Sequence, residues 1–361
     1  MPGLLQFLLG LVLLVAGAEA LVRGASRLAV AAGISPLVVG LTIVAFGTSS
    51  PELAVSVQSS WRGQGDLALG NVIGSNIFNV LFILGLSALV TPLIVARQVI
   101  RQEVPVMILV SLLLLGMALD GRIGRLDAAV LACLLLAYTV FLIVQSRTQA
   151  RMDGNSELDT QETSGWDRHW TVQVALVLGG LGLLVLGSDQ LVNAAIGFAR
   201  AFGVSELVIG LTIVAAGTSM PEVATSVMAS IRGHRDIAVG NVIGSNVFNI
   251  LGVLGISGLV APDFLEVAPS ALAFDLPVMV AVTLLCLPIF FTGSVITRGE
   301  GALFLGCYGA YTVFLVLVAQ ESPLLSFYRT LLIWGLMPGT FTVLLLMTIR
   351  AVRGSKGSGA A

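Results

Sequence analysis

Charge is what this sequence most lacks. Only 11% of its 361 residues are Asp, Glu, Lys or Arg, less than half the share usual in a soluble domain, about 25%. Histidine is nearly absent, with His169 and His234 alone, both in polar stretches that read as connectors. The three cysteines, Cys133, Cys286 and Cys307, lie in apolar runs without a C-x-x-C spacing. That excludes a zinc or redox motif and a disulfide framework, and they read as small buried hydrophobes. A net charge of −2 with no basic patch excludes nucleic acid as a partner. The first apolar run, Leu4–Leu21, has no basic residue before it and no small-residue cleavage site. It reads as a retained helix, not a signal peptide. What remains is 57% hydrophobic, with a mean hydropathy of +1.00, the composition of a polytopic membrane protein.

The chain contains one stretch twice. Gly33–Asn79 and Gly203–Asn249 align without a gap at an offset of 170, and 32 of the 47 positions are identical. Apolar segments long enough to span a bilayer fall at Leu4–Leu21, Leu37–Trp61, Leu67–Val90, Val104–Leu119 and Leu126–Val144 in the first half. A polar linker follows. The second half offers Thr171–Val192, Leu207–Ile231, Ile237–Val260, Leu276–Thr292 and Ala302–Ala319, and an extra segment, Leu331–Ile349, precedes a basic tail. The predicted fold is therefore all-α: two five-helix repeats making ten transmembrane helices, plus an eleventh. Residues 1–146 form the first half, 147–170 the linker, 171–320 the second half and 321–361 the extra helix and tail.

Five crossings per half make the second copy enter the membrane from the opposite side, so the repeats are predicted to be inverted, a plan common in secondary transporters. With the amino terminus outside, 13 of the 18 basic residues fall on the inner side, as the positive-inside rule requires. Linker and tail are then cytoplasmic. The connectors agree. Thr91–Pro105 carries Arg97 and Arg101, whereas its counterpart Ala261–Asp275 carries Asp263, Glu266 and Asp275 and no base.

Each repeat places a glutamate directly after a proline inside an apolar segment: Glu52 in GTSSPE and Glu222 in GTSMPE. Ionisable groups at such depth are costly and usually functional. Pro51 has no N–H for the carbonyl of Gly47, so a kink is expected that frees carbonyls near Ala45 to Gly47. Thr48, Glu52 and Ser56 recur at every fourth residue, as do Asn71, Ser75 and Asn79 in GNVIGSNIFN. That spacing puts each set on one helix face. The second copy repeats both stripes with Thr218, Glu222 and Ser226 and with Asn241, Ser245 and Asn249. Whether Ser56, Ser226, Asn71 and Asn241 bind an ion or pack helices stays open. Asn76 and Asn246 lie off the stripe and read as bonds between helices. Gly70, Gly74, Gly240 and Gly244 would let helices approach closely. Glu19 and Asp189 also match at the same offset, and Glu19 reads as an ion pair with Arg23 one turn on.

These groups make an all-oxygen donor set, which suits hard cations such as calcium and sodium and not zinc or copper. Two carboxylates can be neutralised by one divalent or two monovalent cations, a physical basis for exchange. An intramembrane hydrolase is disfavoured, since no histidine is predicted in the membrane and no G-x-S-x-G occurs. A passive channel would need weaker sites along a continuous pore.

The paired G-T-S-x-P-E and G-S-N-x-F-N motifs, in two five-helix halves, resemble the alpha repeats of the sodium/calcium exchanger family, within the wider cation/calcium antiporter group. The motifs cover both 47-residue copies, and the helix count extends the likeness over the first 319 residues. The resemblance implies calcium–sodium exchange by alternating access, no enzymatic activity and no cofactor. It implies a place in the cell membrane among lipids, with no obligatory protein partner. By position, Glu52 and Glu222 would be shared calcium and sodium ligands. Thr48, Ser49, Thr218 and Ser219 would bind through hydroxyl or carbonyl oxygens, and Ala45 and Ala215 through carbonyls. Ser75, Asn79, Ser245 and Asn249 would complete the site, and the first helix of each half would move. Potassium-dependent members carry Asp where this chain has Asn249, which argues against potassium dependence. The short linker resembles that of minimal prokaryotic members. The alternatives within the group are a proton-coupled calcium antiporter, disfavoured by the GSNxFN asparagines, and a transporter of another divalent cation such as magnesium or manganese, which stays open.

Overall fold

A computed structural model of the chain describes residues 2–152, 169–202, 215–291, 293–336, 339 and 342. Long helices dominate, because uninterrupted apolar sequence in lipid must satisfy its backbone within the segment. In chain order they are α1 (Pro2–Ala32), α2 (Pro36–Thr48), α3 (Ser50–Trp61), α4 (Gly65–Val90), α5 (Val99–Asp120) and α6 (Arg125–Met152). After the linker come α7 (Trp170–Ala201), α8 (Met220–Ile231), α9 (Arg235–Val260), α10 (Ala271–Phe290), α11 (Arg298–Ala319) and the short α12 (Leu325–Leu331). Eight of these are long and apolar enough to cross a membrane, and α2 with α3, bent by 47°, makes a ninth span. The predicted segments correspond to these helices, although α1 runs eleven residues past Leu21 to Ala32. Of the predicted span 207–231, the part before residue 215 lies outside the described residues, as do residues 153–168 of the linker and most of the predicted eleventh segment.

Local sequence sets several boundaries. Ser35 caps α2, its hydroxyl accepting from the Val38 amide at 3.3 Å, and Pro36 fits the first turn, where no N–H is needed. The α3–α4 and α8–α9 connections each turn on a glycine in the left-handed region, Gly63 (φ 77°) and Gly233 (φ 81°). Thr297 and Glu300 form a reciprocal capping box at the start of α11.

The two halves are interleaved. Helices α1 and α7 run antiparallel in close contact. A Cβ on Gly10 would lie 2.9 Å from the Gly187 carbonyl oxygen, and one on Gly17 would lie 2.8 Å from that of Gly180. Only glycine permits such backbone approach. Gly240 and Gly244 do the same against Leu37 and Leu41 of α2. Leu207 and Leu211, which the 170-residue offset relates to Leu37 and Leu41, lie outside the described residues. Two short antiparallel ladders also join the halves. Leu93–Ile94 (β1) pairs with Val295–Ile296 (β4), and Arg122–Ile123 (β2) pairs with Leu265–Glu266 (β3).

Helices α4 and α9 are the most buried, and α6 and α11 are the outermost. Cys286 is buried, but Cys133 is exposed on the outer helix α6, among apolar side chains that face outward. A cysteine in an apolar run need not be interior when the solvent is lipid.

Candidate ion site

Proline and glutamate together start a helix in each half. Pro51 occupies the opening turn of α3 and Pro221 that of α8, each followed by its glutamate in the same turn. A carboxylate there faces the positive end of the helix dipole. The residue before each helix, Ser49 or Ser219, adopts a non-helical turn at the break. The kink expected from Pro51 is therefore present, but the carbonyl of Ala45 is not released by it. That oxygen accepts from the Ser49 amide at 3.0 Å and from the Thr48 hydroxyl at 3.4 Å. Proline deprives the carbonyl four residues before itself, which is Gly47 or Gly217. In the second half the Ser188 hydroxyl donates to Gly217 O at 2.6 Å, whereas the position of Ser188 in the first half is Ala18.

The breaks face each other across the halves. Ser219 Oγ donates to Glu52 Oε1 at 2.7 Å, and Ser49 Oγ donates to Glu222 Oε1 at 2.8 Å. Ser219 and Ser75 hydroxyls are 3.3 Å apart. Both glutamates are fully buried, as are Thr48, Ser49, Ser219, Ser75, Asn79, Ser245 and Asn249. Thr218 is half-buried, and Ala215 begins a single helical turn, Ala215–Gly217, ahead of the break.

The GSNxFN asparagines lie at the first residue of wide, π-helical turns, Asn79–Leu84 and Asn249–Leu254. Such turns often mark functional positions. Asn79 Nδ2 donates to Asn246 Oδ1 at 3.2 Å, and Asn249 Nδ2 donates to Asn76 Oδ1 at 3.0 Å. Asn76 and Asn246 thus bond between helices, as their position off the stripe implied. Asn71 and Asn241 tie α4 to α3 and α9 to α8 through Ser56 and Ser226, at 3.0 and 2.9 Å. Asn241 also accepts from the Thr48 hydroxyl at 3.1 Å. These four are bound up in helix packing.

Oxygens remain. Glu52 Oε2, Glu222 Oε2, Asn79 Oδ1, Asn249 Oδ1, Ser245 Oγ and Thr218 Oγ1 are buried without a hydrogen-bond partner. Buried polar atoms are ordinarily paired, so a group of orphan acceptors is a signal in itself. Among the described residues no three His, Cys, Asp or Glu side chains cluster, which leaves two carboxylates and neutral oxygens. That combination fits a hard cation as cargo.

Sequence reasoning missed a further buried carboxylate. Glu103, at the start of α5, is fully buried and accepts from Gln98 (3.0 Å), Gln102 (2.9 Å) and Tyr138 (2.6 Å). Asp275 and Tyr311 form the corresponding pair in the second half at 3.0 Å. Recurrence of an acid and a tyrosine at matching places in each half was the available signal. Glu19 accepts across the helices from Arg232 at 2.8 Å, a partner 213 residues away. Asp189 is exposed and accepts from Asn193 and Gln190. His169 and His234 are exposed, as expected of connectors.

Comparison with known proteins places these features. The family description "Sodium/calcium exchanger protein" matches residues 2–144 and 172–317. The chain is 39% identical over 321 residues to "Inner membrane protein YrbG" of Escherichia coli (strain K12), covering 88% of this chain and 97% of that one. It is 34% identical to "Sodium/calcium exchanger MaX1" of Methanosarcina acetivorans, covering 86% and 97%. A solved structure of the sodium–calcium exchanger NCX_Mj, soaked with zero Na+ and Ca2+, superposes with a TM-score of 0.72 at 32% identity, covering 85% of this chain and 96% of that chain.

Proposed function

The chain belongs to the sodium/calcium exchanger protein family, and we propose that it exchanges calcium for sodium by alternating access through a site between its two halves. It is an integral, multi-pass membrane transporter of the cation/calcium antiporter kind, and not an enzyme.

The observation that carries the reading is the reciprocal pair Ser219–Glu52 and Ser49–Glu222, with one oxygen of each carboxylate left over. Each glutamate is held by a hydroxyl of the opposite repeat, so the site exists only where the halves meet. Glu52 and Glu222 serve as ligands common to both cations, while Asn79, Asn249, Ser75, Ser245, Thr48, Thr218, Ser49 and Ser219 supply neutral oxygens. Ala215 contributes a carbonyl, and so does Ala45, whose oxygen keeps a lone pair beside the Ser49 amide when the Thr48 hydroxyl donates to Asn241 instead. Two buried negative charges without a basic partner are costly empty. One calcium or two sodium ions relieves that cost, and because both draw on the same oxygens, binding one excludes the other.

The halves act as inverted repeats of five spans each, residues 1–146 and 171–320. The antiparallel α1–α7 contact and the exchanged strand pairs support that symmetry. The amino terminus lies outside, with the linker 147–170 and the tail of 321–361 in the cytoplasm. Residues that this topology assigns to one side also meet. Glu19 meets Arg232 and β1 meets β4 at the inner face, and Arg125 donates to Pro262 O (2.8 Å) at the outer.

The test is calcium uptake into proteoliposomes against imposed sodium, potassium and proton gradients. Uptake driven by an outward sodium gradient at constant pH is expected. Uptake driven by a pH gradient in sodium-free medium would replace this reading with proton coupling.

A further inference from the structure

The asparagines of the ion site are the ends of two hydrogen-bonded chains that begin at methionines. Met107 on α5 accepts from Asn246 Nδ2 at 3.4 Å, Asn246 Oδ1 accepts from Asn79 Nδ2 at 3.2 Å, and Asn79 Oδ1 is left without a partner. In the other half, Met279 on α10 accepts from Asn76 Nδ2 at 3.8 Å and Asn76 Oδ1 accepts from Asn249 Nδ2 at 3.0 Å. Asn249 Oδ1 is likewise left over. All six side chains are buried. Each chain crosses between the halves twice: α5 to α9 to α4, and α10 to α4 to α9.

A carboxamide has a donor end and an acceptor end of nearly the same shape, so nothing in its size says which end should face a cation. A thioether has no such ambiguity, because it can accept but not donate. With sulfur at the start, the first amide must offer its nitrogen and show its oxygen to the next residue. That oxygen accepts only, so the second amide must also offer nitrogen, and its own oxygen points onward. Resting on the ion-site reading above, we infer that Met107 and Met279 are positioning residues that fix the polarity of these amide chains, so that Asn79 and Asn249 present oxygen, not NH2, to the transported cation.

The two chains differ in one respect. Asn76 Nδ2 also donates to the main-chain oxygen of Asn246 at 3.2 Å. Asn246 Nδ2 has the Met107 sulfur as its acceptor. Met107 therefore carries more of the orientation than Met279.

The test measures the apparent Kd for calcium from the thermal stabilisation of the purified, full-length protein by CaCl2, which needs no turnover. Met107→Leu keeps the volume and removes the acceptor, and is expected to weaken calcium about tenfold, the effect of disturbing one buried hydrogen-bonded amide. Met279→Leu is expected to weaken it less, by about two- to threefold, since Asn76 keeps its carbonyl acceptor. In an Asn79→Asp background the side chain shows oxygen either way round, so adding Met107→Leu should shift the Kd by less than about twofold. An unchanged Kd in Met107→Leu, an equal loss in both backgrounds, or a larger loss in Met279→Leu would overturn the inference. If Met107→Leu does not accumulate, Met279→Leu with and without Asn249→Asp is read by the same comparison. Failure of the ion-site reading is separate, because wild-type protein would then show no calcium stabilisation at all.

Discussion

Ser219 belongs to the second repeat, yet its hydroxyl donates to the carboxylate of Glu52 in the first, at 2.7 Å. Ser49 returns the bond to Glu222 at 2.8 Å. Each half thus orients the acid of the other. Hydroxyls suit this task because they can donate to the carboxylate and still keep lone pairs facing a cation.

Removing one of these hydroxyls should weaken binding without dismantling the site. Ser219→Ala and Ser49→Ala are each expected to raise the calcium KM by about tenfold, the scale of a buried hydrogen bond to a charged group. Calcium-dependent sodium efflux from proteoliposomes checks this. Similar losses in the two variants are expected from their matching geometry.

Charge removal should separate transport from folding. Glu52→Gln and Glu222→Gln are each expected to lower exchange at least a hundredfold, since a neutral amide cannot balance a desolvated cation. Meanwhile the ion-free protein should melt at the same or a higher temperature, because an unpaired buried charge costs stability. Flux and thermal melting, measured on the same preparation, give both outcomes.

The glycine seam between α1 and α7 should tolerate nothing larger. A Cβ on Gly180 would sit 2.7 Å from the Leu21 amide nitrogen, against backbone that cannot step aside. Gly180→Ala is expected to cost about 1–3 kcal/mol. Gly182→Ala, where a Cβ meets nothing within 4 Å, should be neutral or slightly stabilising. Thermal melting of the two variants beside wild type decides it.

Glu103 tests whether every buried acid belongs to the ion site. Tyr138→Phe removes the 2.6 Å donor to its Oε2 and is expected to lower stability by about 1–3 kcal/mol. The calcium KM should stay within about twofold. A matching loss of calcium affinity would tie Glu103 to the transport site.

Much of this was legible in one dimension because the repeat is written out almost literally. Thr48 with Glu52, and Ser75 with Asn79, could be picked out by their four-residue spacing, although the break at Ser49 parts Thr48 from the helix that carries Glu52. Pro51 announced the helix break. The cross-half bonds were not legible, because Ser49 and Glu222 are 173 residues apart and no local pattern links them. The same holds for Met107, which looks like any other apolar side chain until Asn246 is beside it. Ala45 shows the opposite error: Gly47 was correctly named as the carbonyl that Pro51 deprives, but the freeing was extended to Ala45, whose oxygen still accepts from the Ser49 amide. The Glu19–Arg232 contact was equally out of reach, since it joins different helices 213 residues apart.

The two-residue ladders β1–β4 and β2–β3 are slight, yet they stitch the connectors of one half to those of the other. Those bonds tie the ends of α4, α5, α9 and α10 across the halves, so spreading these four apart would cost the ladder hydrogen bonds. In the exchange reading proposed above, movement is then expected of elements that carry no strand of either ladder, α1 with α7 and the bent α2–α3.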